Sequence, residues 1–483
     1  MNRRSFLAGS VAAAAASGLR LGSKGLTLEG EAHAAGENLV PYPVVVVMMK
    51  GGLDAAMHLS ATPNGAMVGS QKVVNRMNGD VGIKTAPKSG VRYFTGTVAA
   101  PGKADFEPHL PDVAYLRAFR GSDAHFSISK VWFGEFSEGV KPPVAPRTPW
   151  AHYVAAKANA RRFALKPVAA LYHNISTFGI YDLAAWGTGS PDPSITTERI
   201  LSYDAFFKSL QVSNELPSFK RQSPAYALAG ALDGARNFGG QPDLRGKFDA
   251  ANVGASNVLK NLSNGGPLWP APSLFSDLGV TSAHLAIDPT APSYTNPFFA
   301  LAYQALVNKL SHVIGMRSFG KPGPGKAEWD SHKRNFDFQI AAGVELWSSL
   351  GKFIKLLKAT PSPIVDGKSL FDTTNIWIQS EQRRAPETDP PGPDADSTGT
   401  RHFSPGGVAT FLGGRFKRGI SIGPPIEDWY ARPMNLDTGA VVASGGTVPN
   451  MDNLIATVIK AAGHDPAGHT NAQPINALLD MSL

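Results

Sequence analysis

Three groups of polar residues in this chain have the types and spacing to do chemistry. Asp54 stands just past the break Lys50-Gly51-Gly52. Trp329-Asp330-Ser331-His332 precedes a long stretch of helical apolar periodicity. The third group is split across one loop, with Ser380-Glu381 at its start and Arg401-His402 at its end. Carboxylate oxygens combined with imidazole nitrogens suit a hard or borderline divalent ion such as Zn²⁺, Mn²⁺, Mg²⁺ or Ca²⁺. Each group also has a plainer use. Asp330 is of the type that caps a helix, and His332 or His402 can serve as a hydrogen-bonded structural histidine. Chemistry is favoured by their joint placement at the edges of predicted strands and helices. Ligand sites in open α/β sheets gather at the carboxyl ends of strands.

The elements that must position these groups are readable. Pro43-Val44-Val45-Val46-Val47-Met48-Met49 is a continuous apolar run rich in β-branched residues. Such a run predicts a strand buried on both faces, central in an α/β sheet. Thr374 to Gln379 predicts a second buried strand, and Val408 to Leu412 a third. A long helix is expected from about Asn335 to Ala359. Its residues Phe338, Ile340, Ala341, Val344, Leu346, Trp347, Leu350, Phe353, Ile354 and Leu357 are spaced for one buried face. Residues 59–110 read as loop-rich with weak strands. The stretch of about 147–315 reads as mainly helical, with Thr148 to Arg161 and Pro297 to Gly315 its clearest helices. A glycine-proline hinge at 319–325 ends it, and the Pro-, Asp- and Gly-rich loop Ala385 to Thr400 reads as exposed.

The amino terminus, Met1-Asn2-Arg3-Arg4-Ser5-Phe6-Leu7, carries a paired arginine before a short, alanine-rich apolar segment. That is the pattern of a twin-arginine export leader, and the segment is too short to span a bilayer. A small-x-small cleavage pattern follows at Ala32-His33-Ala34, so the mature protein is expected to begin at Ala35 or Gly36. The expectation is a leader over 1–34 and one α/β domain over 35–483. The protein would be bacterial, would meet the twin-arginine translocase during export, and would work in the periplasm or outside the cell.

Composition narrows the chemistry. The chain has no cysteine, which excludes disulfides, thiolate metal sites and cysteine-ligated iron–sulfur clusters. No haem or flavin motif is present, so an exported oxidoreductase has no cofactor motif behind it. The net charge is +8, of which the leader, with four basic and two acidic residues, supplies +2. The basic residues are scattered, as on solvated faces, and could meet an anionic small molecule or surface polymer. Nothing marks a nucleic-acid site, and no later apolar run is long enough for a stable membrane span.

Two motif matches fail on context. Gly320 to Lys326 fits phosphate-loop spacing, but Ala327 stands where a hydroxyl must bind magnesium, and two prolines remove backbone donors. Gly419-Ile420-Ser421-Ile422-Gly423 has the nucleophile-elbow spelling, but Pro424 and Pro425 follow at once and disfavour the required helix.

The order of features resembles a bacterial family of twin-arginine-exported proteins, domain-of-unknown-function family 1501. That family in turn resembles the alkaline phosphatase and sulfatase superfamily. Gly51-Gly52-x-Asp54 is similar to the family's strand ending in Gly-Gly with a nearby Asp. Trp329-Asp330-Ser331-His332, with Asn335 following, is similar to its Trp/Phe-Asp-Thr-His segment before a long helix. Ser380-Glu381-Gln382-Arg383-Arg384-Ala385-Pro386 keeps the Ser, Glu, Arg and Pro of its second strand end, and His125-Phe126 resembles a Ser-His-Phe segment with Ala124 in place of Ser. Thr400-Arg401-His402 keeps the His of a returning Asp-His pair and replaces the Asp.

The resemblance implies a three-layer α/β sandwich with a mostly parallel central sheet, like alkaline phosphatase, with a helical insertion. It implies an exported hydrolase of phosphate or sulfate esters, with Asp54, Asp330, His332, Glu381 and His402 holding a divalent metal and Arg384 or Arg401 gripping an anionic oxygen. The alternative is a non-catalytic binding or assembly protein that retains the fold with a degenerate site. No nucleophile is assigned, since Ser122, Ser127 and Thr62 are all available. Arg401 argues for at most one tightly bound metal. An arginine has no acceptor and stays protonated, and at ~5 Å and an effective dielectric of ~20 it repels a divalent ion by about 7 kcal/mol before screening.

Overall fold

The computed structural model describes residues 20–22, 25–27, 39–49, 52–53, 55, 58–61, 83–94, 104–121, 150–157, 168–170, 198–200, 272–281, 295–307, 309, 311–318, 329, 335–380, 383–388, 400–426 and 428–482. The strands, in chain order, are β1 (Arg20–Gly22), β2 (Gly25–Thr27), β3 (Val44–Met49), β4 (Ile83–Thr85), β5 (Arg92–Phe94), β6 (Ala114–Phe119), β7 (Val168–Ala170), β8 (Glu198–Ile200), β9 (Val313–Ser318), β10 (Asn375–Ser380), β11 (Arg383–Thr388), β12 (Thr400–Phe403), β13 (Gly407–Leu412) and β14 (Ile420–Ile422). The helices are α1 (Trp150–Lys157), α2 (Pro272–Leu278), α3 (Thr295–Val307), α4 (Asn335–Ala359) and α5 (Met451–Ala461).

Among the described residues, eight strands form the central sheet in the order β14-β6-β13-β10-β3-β9-β7-β8. β13 runs antiparallel to both its neighbours, and the other pairings are parallel. Residues of β3 alternate between two cores. Val45, Val47 and Met49 join one that includes α2, α3 and α4, and Val44, Val46 and Met48 join one that includes α1 and α5. This is the central position expected of a strand apolar on both faces, within the three-layer α/β sandwich that the resemblance implies. Full burial of each such side chain contributes roughly 1.5–3 kcal/mol.

The long helix occupies the expected span, with Leu346, Trp347, Leu350, Phe353, Ile354 and Leu357 fully buried. Phe338, Ile340, Ala341 and Val344 are half-buried. Gly351 lets the helix lie against the chain at Asp105 and Phe106, since a Cβ there would collide with the Asp105 carbonyl. α5 begins with a reciprocal capping box between Asn450 and Asn453, which satisfies two amide donors at the helix start.

Several expectations need correction. The helix expected over Pro297 to Gly315 ends at Val307. Lys309 takes a left-handed backbone (φ 51°), and Val313 to Ser318 is strand β9, beside β3. A short apolar run such as Val313-Ile314-Gly315-Met316 has no periodicity that separates a buried strand from a helix. The segment of about 147–315 also contributes β7 and β8 to the sheet, and its remaining described helices are α1, α2 and α3. The sequence reading did not place β6. Arg117 within it lends polarity to an otherwise buried run, and its guanidinium is taken up by the Ile422 and Gly423 carbonyls. Among the described residues, no helix is long and apolar enough to cross a membrane.

Candidate functional site

The parallel strands β9, β3 and β10 end level with one another. Met49 pairs with Ser318 on one side and with Ser380 on the other. Beyond Met49 the chain turns at Gly52, whose φ of 106° is readily adopted by glycine. The Leu53 amide then donates to Ser380 Oγ at 2.9 Å, and Leu53 forms a parallel bridge with Arg383. The loop after β3 is thereby fastened to the end of β10 and the start of β11.

A second brace comes from α4. Gln339 is fully buried in the helix's second turn, and its Nε2 donates to the carbonyls of Gly52 and Trp329, each at 3.0 Å. Trp329 is also buried, and its Nε1 donates to Ser318 Oγ at 3.3 Å. A continuous chain of contacts therefore runs from the end of β9 through Trp329 and Gln339 to Gly52, Leu53 and Ser380.

His58 lies inside this brace. Its ring packs edge-on to Trp329 with centroids 5.6 Å apart, and its Nδ1 accepts from Trp347 Nε1 at 3.1 Å. Accepting at Nδ1 leaves the neutral ring's proton on Nε2. Burial is the main influence on this histidine and pushes its pKa down to about 3, against an opposing pull from the Gln339 side chain. His58 is thus a neutral packing group at ordinary pH.

β11 and β12 form an antiparallel hairpin that faces Arg384 to His402 and Arg383 to Phe403 in register. Arg383 is buried, and its guanidinium lies 3.4 Å from the centroid of the Trp429 ring. The Ala431 amide donates to the Pro405 carbonyl just past the hairpin. Ser60 and Tyr115 share a hydroxyl–hydroxyl hydrogen bond of 2.7 Å. Burial raises the Tyr115 phenol's pKa, and the Ser60 bond and the Arg383 and Arg117 charges oppose that shift.

Of the candidate metal ligands, Asp54, Asp330, His332 and Glu381 lie outside the described residues, as do Ser122, Ser127 and Thr62. His402, with the candidate anion-gripping residues Arg384 and Arg401, is described in its backbone alone. The described residues that immediately flank the candidates, Leu53, Trp329 and Ser380, are tied into the one brace. Among the described residues no group of three or more His, Asp or Glu is placed to hold a metal ion.

Gln339, His58, Arg383 and Trp429 belong to none of the candidate groups named from the sequence. Gln339 did leave a signal. It stands seven residues before Leu346 on the apolar stripe of α4, where a polar side chain must find buried partners. The nucleophile-elbow spelling at 419–423 is a short strand, β14, followed by bends with no helix, as its prolines required.

No family model matches the chain, and no curated protein does. Among solved structures the chain is similar to Ps i-CgsB in complex with a neocarrahexaose, with 10% identity over 90% of this chain and 75% of that one, at a TM-score of 0.36. It is similar to a magnesium-bound mutant of TAB5 alkaline phosphatase, with 10% identity over 80% of this chain and 96% of that one, at a TM-score of 0.34. It is also similar to the lipoteichoic acid synthase LtaP from Listeria monocytogenes, with 9% identity over 90% and 74% of the two chains, at a TM-score of 0.30. These likenesses are ones of general layout and carry nothing about activity.

Proposed function

We propose that this chain is an exported hydrolase that acts on phosphate or sulfate esters with one divalent metal ion, and that it belongs with the twin-arginine-exported family its motifs resemble. The observation that carries the reading is the brace at the ends of β9, β3 and β10. Gln339, Leu53, Ser380 and Trp329 fasten together the three segments in which Asp54, Asp330 and Glu381 are immediate neighbours. The hairpin that pairs Arg384 with His402 joins the same place through the Leu53–Arg383 bridge.

The donor set fits the ion. Three carboxylates and two imidazoles with no thiolate suit Mg²⁺, Mn²⁺, Ca²⁺ or Zn²⁺. A bound ion of this kind supplies Lewis-acid stabilisation of the ester oxygens and lowers the pKa of a nucleophile. Arg384 or Arg401 would hold non-bridging anionic oxygens, which a guanidinium fork does bidentately.

The test is hydrolysis of an aryl phosphate and an aryl sulfate by the purified mature protein, with and without chelator. Turnover of one ester, lost on chelation and in Asp330→Asn, is the expected result. No turnover of either ester by protein that demonstrably holds metal favours the binding protein with a degenerate site.

A further inference from the structure

The opposite end of the sheet holds a second cluster of titratable groups, which the proposed ester chemistry does not use. His312 immediately precedes β9, and His464 follows α5; both rings are buried. Their Nε2 atoms face each other at 3.5 Å, with ring centroids 5.6 Å apart in an edge-on arrangement. Two neutral imidazoles at this spacing share one N–H between them, one ring donating and the other accepting. Two protonated rings would each present a donor and a positive charge to the other.

This pair sits where the chain enters its central strand. The Val44 amide donates to the His312 carbonyl at 2.8 Å, and the Tyr42 amide to the Ala462 carbonyl at 3.2 Å. Arg415 is buried beside them. Its Nη1 donates to the Ala461 carbonyl at 3.0 Å, its Nη2 to the Val40 carbonyl at 2.7 Å, and its guanidinium lies 3.9 Å from the Tyr42 ring centroid. Gly463, with φ of 93°, permits this approach, since a Cβ there would press on Arg415 and the Val40 carbonyl.

We propose that His312 and His464 form an acid-operated latch, which holds the incoming segment Leu39–Pro43 against the end of α5 at neutral pH and releases it in acid. A proton added to this pair enters a buried site next to a fixed guanidinium, and a second proton sets two cations face to face. Burial, His464 and Arg415 all hold His312 well below the usual histidine range.

The other charged and titratable groups described on the surrounding elements are Tyr153 and Lys157 of α1, Asp452 and Lys460 of α5, and Asp465 and His469 beyond it. On α1, Tyr153 donates to the Asp465 carbonyl, and Lys157 is exposed. Lys460 on α5 donates to Asn476, the Asp465 side chain accepts from the Ala467 amide, and His469 packs on Tyr153. Opening the segment lets His312 return to its unperturbed pKa of ~6.5 and take up a proton. The closed state therefore keeps its full advantage above that pH and loses it as pH falls, by up to about tenfold per pH unit.

Hydrogen exchange read by mass spectrometry, as protection factors corrected for intrinsic exchange, tests the latch in the full mature chain. Between pH 7 and pH 5, protection of the peptide covering 39–46 should fall at least tenfold, while that of β10 stays within a factor of about two. His312→Gln keeps a hydrogen-bonding side chain without the charge, and should flatten this pH dependence. His312→Asn should do the same, and serves if the first variant folds poorly. Constant protection of 39–46 across this range overturns the latch. So does loss shared equally by β10, or a variant that keeps the wild-type pH slope.

Discussion

Gln339 shows how one residue can tie distant segments of the chain together. Its two amide hydrogens are spent on the carbonyls of Gly52 and Trp329, and leaving both carbonyls buried without a donor costs about 1–3 kcal/mol each. A polar residue on an apolar stripe announces such a role in the sequence. The identity of its partners does not show there, because they lie 287 and 10 positions away. His58 beside it makes a pH prediction. Its pKa in the fold is about 3, depressed first by burial, whereas the unfolded value is ~6.5. The unfolded chain therefore binds this proton first as pH falls. The stability it protects is whole above about pH 6.5 and declines by up to about 1.4 kcal/mol per pH unit towards pH 3. His58→Asn keeps an acceptor for Trp347 Nε1, and urea unfolding should show the acid dependence of stability reduced by one proton. An unchanged slope would mean that His58 is already charged in the fold.

At the scale of elements, legibility followed periodicity. Val44–Met49 and Asn335–Ala359 were placed from their apolar patterns, one continuous and one helical, and both stand as expected. β9 was misread because its apolar run is too short to show a period, and β13 runs against its neighbours, a direction that no local pattern encodes. The candidate site is read from polar residues at the ends of predicted elements, and their side chains lie outside the described residues. Its supports were not legible, because Leu53–Ser380 and Leu53–Arg383 are contacts more than 300 residues apart in the chain. The approach of α4 to the chain at Asp105 gives a stability prediction. Gly351→Ala places a methyl against backbone that cannot rotate away, and should lower stability by about 2 kcal/mol or more. Thermal or urea unfolding of the variant measures it, and a change under about 0.5 kcal/mol would show that helix and loop separate easily.

At the scale of the whole molecule, export and a metal-dependent hydrolytic site are the two halves of the account. Replacing Arg3 and Arg4 by lysine should leave precursor in the cytoplasm, and the exported form should begin at Ala35 or Gly36 by amino-terminal sequencing. A mature protein that begins at Asn2 would contradict the leader. The site half rests on five candidate donors from distant parts of the chain, Asp54, Asp330, His332, Glu381 and His402, meeting around one ion. Arg401 should deny a second ion its place, because a lost carboxylate and an added cation each weaken binding, and about 1.4 kcal/mol is tenfold in affinity. Native mass spectrometry of the protein purified from its own compartment counts the ions directly. The account predicts one tightly bound divalent metal per chain, absent from Asp330→Asn and Glu381→Gln, and two in Arg401→Asp. Two metals in the unaltered protein, or one that survives both carboxylate substitutions, would contradict it.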